Sequence, residues 1–216
     1  MNAPFFRIRN ALLSLWLLAL VLPSSAAEIW IRYQGRPGSK LKLEGTSTIH
    51  DWTVEGKIIG GFLELESNFP LESSAKPPAD AKLNAKVEVD IPVTSLLSGK
   101  QLMDEVMYEA MKQKQYPKIQ YRLKQITLKP AVQTGPLQFD AVGELTIAGM
   151  ARTNSMIVTI ERVDPTRLKV KGATAIKMTD FGVKPPAPNI GLGLIKTGDD
   201  VKITFEWVTG KKAETP

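Results

Sequence analysis

Residues 83–91 read LNAKVEVDI, and the strict alternation in this stretch decides the fold class. Every second residue is apolar, and the residues between them are polar or charged. Because successive side chains of a strand point to opposite faces, this pattern predicts a β-strand with one buried and one solvated face. The apolar face is Leu83, Ala85, Val87, Val89 and Ile91.

Similar alternation recurs along most of the remaining chain. It is clear at 139–147, 168–178 and 201–207, and less regular at 41–48, 54–65, 119–128 and 156–160. A break of phase near Lys124 predicts a β-bulge in one of these strands. No repeated strand–helix unit is present, so we predict an all-β, antiparallel sheet. About eight strands with one apolar face each favour closure into a β-barrel, which removes exposed edges.

One segment has a helical rather than an alternating pattern. Its apolar residues, spaced three and four apart, are Leu102, Met103, Val106, Met107, Ala110 and Met111. This spacing predicts one amphipathic α-helix inserted between two strands. Ser98 and Gln101 match a capping box, and Pro117 forbids continuation of the helix. Met103, Met107 and Met111 would give a deformable apolar surface at one end of the barrel, or serve only as ordinary helix packing.

The predicted inward faces of the strands combine bulky and small residues. The bulky ones include Val87, Val89, Leu145, Ile147, Val170, Ile176, Ile203 and Phe205. The small ones are Gly56, Ala85, Ala141, Gly143 and Gly172. A barrel of about eight strands either fills its interior with side chains or holds one small ligand. We therefore expect Ala141, Gly143 and Gly172 to border open volume if the protein binds a ligand.

The N-terminus has the features of a secretory signal peptide. Arg7 and Arg9 precede an apolar run from Ala11 to Leu22, and small residues end at Ala27. The run is too short for a membrane-spanning helix of ~20 residues, although an uncleaved anchor is the alternative. We predict a signal peptide at 1–27, a barrel domain at 28–209 and a disordered tail at 210–216.

Charge and cysteine content limit the classes of function. Removal of two arginines with the signal peptide lowers the formal net charge from +6 to +4. This charge is scattered and too small to indicate nucleic-acid binding, but it can support transient contact with an anionic membrane surface. The chain contains no cysteine, so neither disulfides nor thiolate metal sites are available. Together these features predict a periplasmic or secreted bacterial protein.

His50, the only histidine, lies in the segment GTSTIHDWTVEG at 45–56. Adjacent residues of a strand point to opposite faces, so Asp51 would not orient His50 as a catalytic base unless the chain bends. We favour a turn capped by His50 and Asp51, with Trp52 anchoring the next strand. No G-x-S-x-G segment or metal-binding loop is present, so we predict no catalytic residues, no metal site and no cofactor.

Four segments in the same order resemble the YceI-like family. They are residues 87–123 (VEVDIPVTSLLSGKQLMDEVMYEAMKQKQYPKIQYRL), 143–161 (GELTIAGMARTNSMIVTIE), 179–183 (TDFGV) and the Ser-Thr-x-His-Asp-Trp segment at 47–52. The resemblance extends from Ser39 to Val208. It implies a lipocalin-like antiparallel barrel with an apolar tunnel that binds polyisoprenoid or other amphiphilic lipids. It also implies that His50, Trp52, Tyr121 and Phe181 lie at the tunnel mouth.

These observations lead to one hypothesis and two alternatives. We expect a non-enzymatic periplasmic carrier that holds an isoprenoid or other amphiphilic lipid, such as a quinone-like molecule, inside the barrel. The expected ligand-binding residues are His50, Trp52, Val87, Val89, Met103, Met107, Met111, Tyr121, Gly143, Leu145, Gly172, Phe181 and Phe205. The alternatives are an enzyme or enzyme accessory acting on a lipid-like substrate, and a filled barrel with a structural or stress-response role. The sequence does not determine the oligomeric state.

Overall fold

The computed structural model describes residues 29–72, 83–129, 136–187 and 195–212. The predicted signal peptide lies outside these ranges, as do residues 213–216 of the predicted tail. The strands are β1 (Trp30–Gly35), β2 (Lys40–Ser47), β3 (Trp52–Gly56), β4 (Gly60–Glu66), β5 (Ala85–Pro92), β6 (Leu96–Leu97), β7 (Lys118–Leu128), β8 (Gln138–Ile147), β9 (Met150–Asp164), β10 (Arg167–Lys177) and β11 (Thr197–Lys211). One α-helix, α1 (Gln101–Ala110), and two 3₁₀ turns, Val93–Ser95 and Thr179–Phe181, complete the described elements.

The strands form a closed antiparallel barrel of eight long strands. Strand β11 pairs with β2 between Thr197 and Glu206 and with β1 from Thr209 to Lys211, so β1 and β2 act as one interrupted strand. Strands β3 and β4 continue one another in the same way, because β3 pairs with β2 and β4 pairs with β1. The circuit then runs through β5, β7, β8, β9 and β10 back to β11. The predicted all-β, antiparallel, lipocalin-like barrel with one helix is confirmed.

The alternation in the sequence produces the two faces of the barrel wall. In β8, every second residue is buried, including Phe139, Ala141, Leu145 and Ile147. Charged residues on the opposite face pair across strands at the surface, as Lys171 does with Glu161 at 3.0 Å. Such surface pairs contribute at most about 1 kcal/mol each, so apolar burial on the inner face dominates the stability.

Three local predictions are confirmed or corrected. The register of β7 against β8 shifts between Leu123 and Gln125, where the bulge was predicted. The capping box was wrong: Lys100 is the N-cap residue, and Ser98 bonds to Asp104 rather than to Gln101. The helix ends at Ala110, well before Pro117, because Lys112 takes a left-handed conformation with φ 53°.

The C-terminal boundary also differs from the prediction. Strand β11 extends to Lys211, so Gly210 and Lys211 belong to the barrel wall and not to a tail. In the described part of the chain, no helix is long and apolar enough to cross a membrane.

One end of the barrel is filled by large side chains. Tyr33, Leu63, Phe139, Leu168 and Trp207 are each at most 2% exposed. The ring centroids of Phe69 and Phe139 lie 5.3 Å apart, and the indole of Trp207 donates to the carbonyl oxygen of Ile59 at 3.0 Å. This end, which we call the filled end, has close-packed aromatic rings and a satisfied polar group in its core.

At the other end, two strands separate. Backbone pairing of β9 with β10 stops at Ile157 and Ala173 on the side towards α1. Beyond that point β9 continues to pair with β8, and β10 with β11. The turn Thr179–Phe181 lies against both diverging strands. This end, which we call the helix end, is therefore less tightly closed by the sheet.

Candidate functional site

The helix end contains a cavity of about 550 Å³. This volume lies within the range of small-molecule sites. The walls are the β2–β3 hairpin, α1, the start of β7, the end of β8, the end of β10 with the turn that follows it, and the first half of β11. The cavity is therefore located where one apolar helix face covers the barrel.

Helix α1 contributes the deformable part of the wall. Met103, Met107, Val106, Ala110 and the following Met111 all line the cavity. Their spacing of three and four residues places them on one face of the helix. Unbranched methionine side chains adapt to ligands of different shape, so this wall can accommodate an apolar chain without a fixed contour.

The polar residues of the cavity lie at its rim. Of the 25 lining residues in the described part of the chain, the polar ones are Ser47, His50, Lys100, Gln101 and Thr197. None of the five is buried, and no acidic residue belongs to this described lining. Two apolar residues extend the rim into solvent, since Ile49 is 61% exposed and Leu102 is 66% exposed. The cavity thus offers apolar contact inside and hydrogen bonds only at its entrance.

Partly buried hydrogen bonds hold α1 against residues 96–98 of the barrel. The carboxylate of Asp104, which is buried, accepts from the backbone N–H of Ser98 at 2.7 Å and from its hydroxyl at 2.6 Å. The hydroxyl of Tyr108 donates to the carbonyl oxygen of Leu96 at 2.7 Å. Burial, with the nearby carboxylate of Asp104, raises the pKa of Tyr108. Both anchors attach the helix to residues 96–98, so the methionine face is held over the cavity.

A second set of hydrogen bonds positions Phe181. The carboxylate of Asp199 accepts from the hydroxyl of Thr179 at 2.6 Å and from its backbone N–H at 2.9 Å. These bonds hold the pKa of Asp199 below its ordinary value. They tie the 3₁₀ turn to β11, and Phe181 in this turn is buried against the cavity.

His50 lies at the rim and is exposed. Its Nδ1 donates to the main-chain oxygen of Asp51 at 2.8 Å, not to the Asp51 carboxylate. The carbonyl oxygen of His50 accepts from the hydroxyl of Ser47 at 2.6 Å. These contacts form a turn between β2 and β3. Within the described ranges, no three His, Asp or Glu side chains are grouped so as to hold a metal ion.

Six of the thirteen residues proposed from the sequence line the cavity. They are His50, Trp52, Met103, Met107, Met111 and Phe181. Trp52 is half-buried there, and its indole donates to the carbonyl oxygen of Thr46 at 3.0 Å. Their contact with a ligand stays a prediction, but the fold brings all six together.

The other seven residues lie in the barrel interior and do not line this cavity. They are Val87, Val89, Tyr121, Gly143, Leu145, Gly172 and Phe205. The ring of Tyr121 occupies the space beside Gly143, and the ring of Phe205 occupies the space beside Gly172. The expectation of open volume beside these glycines is wrong, because aromatic neighbours fill the room that the missing side chains leave, and Ala141 does not line the cavity either. The volume open to a ligand lies instead at the helix end, against α1.

Several lining residues were not proposed from the sequence. Val106 and Ala110 share the helix face of the methionines, and this shared spacing could have identified them. Ile147, Ile176 and Ile203 were placed on inward faces, but nothing in their strands indicated that they lie at the helix end. That information depends on which end of each strand adjoins α1.

Comparison with solved structures identifies similar folds. BcnA of Burkholderia cenocepacia is 19% identical, with a TM-score of 0.58 over 79% of this chain and 95% of that chain. A polyisoprenoid binding domain from Saccharophagus degradans, implicated in plant cell wall breakdown, is 12% identical. Its TM-score is 0.61 over 85% of this chain and 100% of that chain. At these identities the likeness shows the fold alone.

Comparison with curated proteins found no match. The family model of the YceI-like domain matches residues 38–209, which includes almost the whole described barrel. The predicted resemblance to this family is thereby confirmed, and the chain belongs to the YceI-like family.

Proposed function

We propose that this protein is a non-enzymatic carrier that binds an isoprenoid or similar amphiphilic lipid in the cavity at the helix end. The observation that carries the proposal is the distribution of polarity in the cavity. The interior is formed by apolar side chains, and the five polar residues stay at the rim. A site built in this way binds hydrocarbon and provides no group for chemistry on it.

The affinity would come from removal of apolar surface from water. Burial contributes about 25 cal/mol per Å², before the costs of association are subtracted. An apolar chain enclosed by the methionine face of α1 and by Phe181 would bury most of its surface. The neighbouring fold in Saccharophagus degradans is described as polyisoprenoid binding, which supports the same class of ligand here.

The test is organic extraction of the purified protein followed by mass spectrometry of the extract. We expect one lipid class to be recovered at close to one molecule per protein. Ala110→Phe places a large ring on the cavity face of α1 and should remove this lipid. Ala173→Phe makes the same change at an exposed position of β10 and should retain it.

Two results would contradict the proposal. The first is an extract without lipid from a folded protein that also fails to take up added isoprenoid lipid. The second is equal loss of lipid from both variants while their barrels are intact, since the cavity face of α1 would then not be where the lipid binds. Thermal unfolding of each variant establishes that its barrel is intact.

We also propose that the carrier acts in the periplasm or outside the cell. The support is the basic and apolar pattern of residues 1–27. N-terminal sequencing of material from the periplasm should begin at Ala27 or Glu28. A mature protein that begins at Met1 would contradict this location.

A further inference from the structure

The mouth of the cavity lies between two segments that come from different elements. One is the start of α1, where Lys100, Gln101 and Leu102 line the cavity. The other is the turn between β2 and β3, where Ile49 and His50 line it. All five residues are exposed, so both segments meet solvent at the rim. We call them the helix lip and the turn lip, and a ligand in the cavity would reach solvent between them.

The helix lip is not where α1 is bonded to the barrel. In the described part of the chain, every hydrogen bond from an α1 side chain to another element goes to residues 94–98. The side chains concerned are Asp104 and Tyr108, which are four residues apart and therefore lie on one side of the helix. On the helix lip, the amide of Gln101 donates instead to Glu105 of the same helix, at 2.9 Å. The helix is thus anchored along one side, away from the mouth.

The turn lip, in contrast, is fixed to the barrel wall. The backbone N–H groups of Ile49 and His50 donate to the hydroxyl of Ser47 at the end of β2. The backbone N–H of Thr48 donates to the carbonyl oxygen of Lys196, the residue before β11, at 3.0 Å. Because the turn lip is held by neighbouring strands, any widening of the mouth requires movement of α1.

The chain has a left-handed residue on each side of α1. Gly99 has φ 79°, and outside its chain neighbours no atom lies within 4 Å of the position that a Cβ there would take. Lys112 has φ 53°. A moving element changes its backbone angles at a few residues near its ends, and glycine adopts either sign of φ at little cost. Gly99 therefore has both the conformational freedom and the space of a hinge.

The inner face of α1 borders open volume. Its residues Met103, Val106, Met107 and Ala110 line the cavity and are only half-buried. A side chain that borders a void has fewer contacts to lose than one in a close-packed core. Movement of α1 is therefore easier than movement of any strand at the filled end.

We infer that α1 is a lid, which turns about its anchored side at residues 94–99 and admits the lipid between the helix lip and the turn lip. The inference rests on the proposed function and adds the route of entry. The separation of β9 from β10 is a less open route. There the amide of Asn154 donates to the hydroxyl of Thr174 at 3.0 Å, and the turn Thr179–Phe181 lies against both strands. A bound lipid fills the void beneath the methionines, so it should hold the lid closed.

The first experiment joins the two lips by a removable cross-link. The chain has no cysteine, so Ile49→Cys with Leu102→Cys introduces its only two thiols. A bis-maleimide linker with an internal disulfide joins them in delipidated protein, and the uptake of a fluorescent isoprenoid is timed. We expect uptake to slow by about tenfold or more and to recover when a reductant cleaves the linker. The control is Glu55→Cys with Leu97→Cys, exposed partners on β3 and β6, whose cross-link should leave uptake unchanged.

The second experiment measures the movement itself. Nitroxide labels on the same two cysteine pairs report the distance between them by pulsed electron paramagnetic resonance. Across the mouth, we expect a longer component in the delipidated protein that the isoprenoid removes. The control pair should give one distance in both states.

The outcomes separate the lid from the proposed function. If the uncross-linked protein takes up no isoprenoid, the proposed function fails. If it takes up lipid and the cross-linked mouth does so equally fast, the carrier stands and the lid is overturned. Equal slowing by both cross-links overturns the lid as well, because joining the lips would then have no specific effect. A mouth distance that is single and unchanged by lipid shows a fixed opening and also overturns it.

Discussion

The filled end and the helix end of the barrel are made from the same strands, yet in the described residues the cavity lies at the helix end and large side chains pack the filled end. At the filled end, Phe139 and Leu168 are fully buried, and the indole of Trp207 donates to the carbonyl oxygen of Ile59 between β3 and β4. At the helix end, the strand residues that line the cavity are mostly aliphatic and include four isoleucines of β7, β8, β10 and β11, and α1 covers this opening. The alternating pattern thus supplies an apolar interior everywhere. The ends differ in what closes them, which is large side chains of the strands at the filled end and α1 at the helix end.

Truncation of one large apolar side chain at each end should reveal the largest difference. Phe139→Ala at the filled end should lower the free energy of unfolding by about 3–5 kcal/mol, because it leaves a cavity in a close-packed core. Met107→Ala at the helix end should cost about 1 kcal/mol or less, because its side chain already borders open volume. Denaturant unfolding of the two variants measures both values. Equal losses would show that the two ends are packed alike.

Removal of the helix anchor tests how the helix end is held closed. Asp104→Ala should cost about 2 kcal/mol, because two hydrogen bonds from Ser98 to a charged acceptor are lost. Glu105→Ala, an exposed neighbour on the same helix, should change stability by less than about 0.5 kcal/mol. Calorimetric unfolding compares them, and lipid retention should fall only in Asp104→Ala. A variant that keeps its lipid would show that α1 is held by packing alone.

High pH should lower the free energy of unfolding through the buried phenol of Tyr121. Burial raises the pKa of Tyr121 to about 12 from its ordinary value of 10.0. Deprotonation is therefore easier in the unfolded chain, so this contribution is fully present below about pH 10 and is lost as the pH rises towards 12. The loss should reach about 2 kcal/mol at most, given the remaining solvent contact of the ring. The free energy of unfolding should fall less across this pH range in Tyr121→Phe than in the wild-type protein. Identical profiles of the two proteins would contradict the assignment of this loss to Tyr121.

The rim should show the smallest effect. His50→Ala removes one exposed hydrogen bond and one side chain of the entrance, so we expect a loss of about 0.5 kcal/mol in stability and a modest loss in lipid affinity. Thermal unfolding and the lipid titration measure these changes. A turnover assay that fell by orders of magnitude with the fold intact would instead make His50 a catalytic residue.

Much of the fold was predictable because alternation is a local property. The face of β5 that carries Val87 and Val89 follows directly from residues 83–91, and the break near Lys124 identified the bulge in β7. The early end of α1 at Ala110 was not predictable, because a lysine seldom adopts a left-handed conformation and nothing in the sequence indicates that Lys112 does. The short strand β6 was missed because two residues carry no periodicity.

The site was predictable only where its residues share one element. Met103, Met107 and Met111 are on one helix face, so their common position followed from spacing. The space beside Gly143 depends on the ring of Tyr121, which arrives from the neighbouring strand. Its position is set by register, and the bulge between Leu123 and Gln125 alters that register. The sequence therefore suggested open space beside Gly143 and Gly172, but the rings of Tyr121 and Phe205 occupy it in the structure.

The separation of β9 from β10 has a consequence for self-association. Beyond Ile157, strand β9 has pairing on one side only in the described residues, so a nominally closed barrel still presents a short sheet edge. Unprotected edges invite strands from other molecules and lead to aggregation. Here the turn Thr179–Phe181 covers part of the edge, and the exposed charge of Arg152 discourages a second chain from pairing with it. The same turn that presents Phe181 to the cavity thus also lies against the unpaired edge of β9.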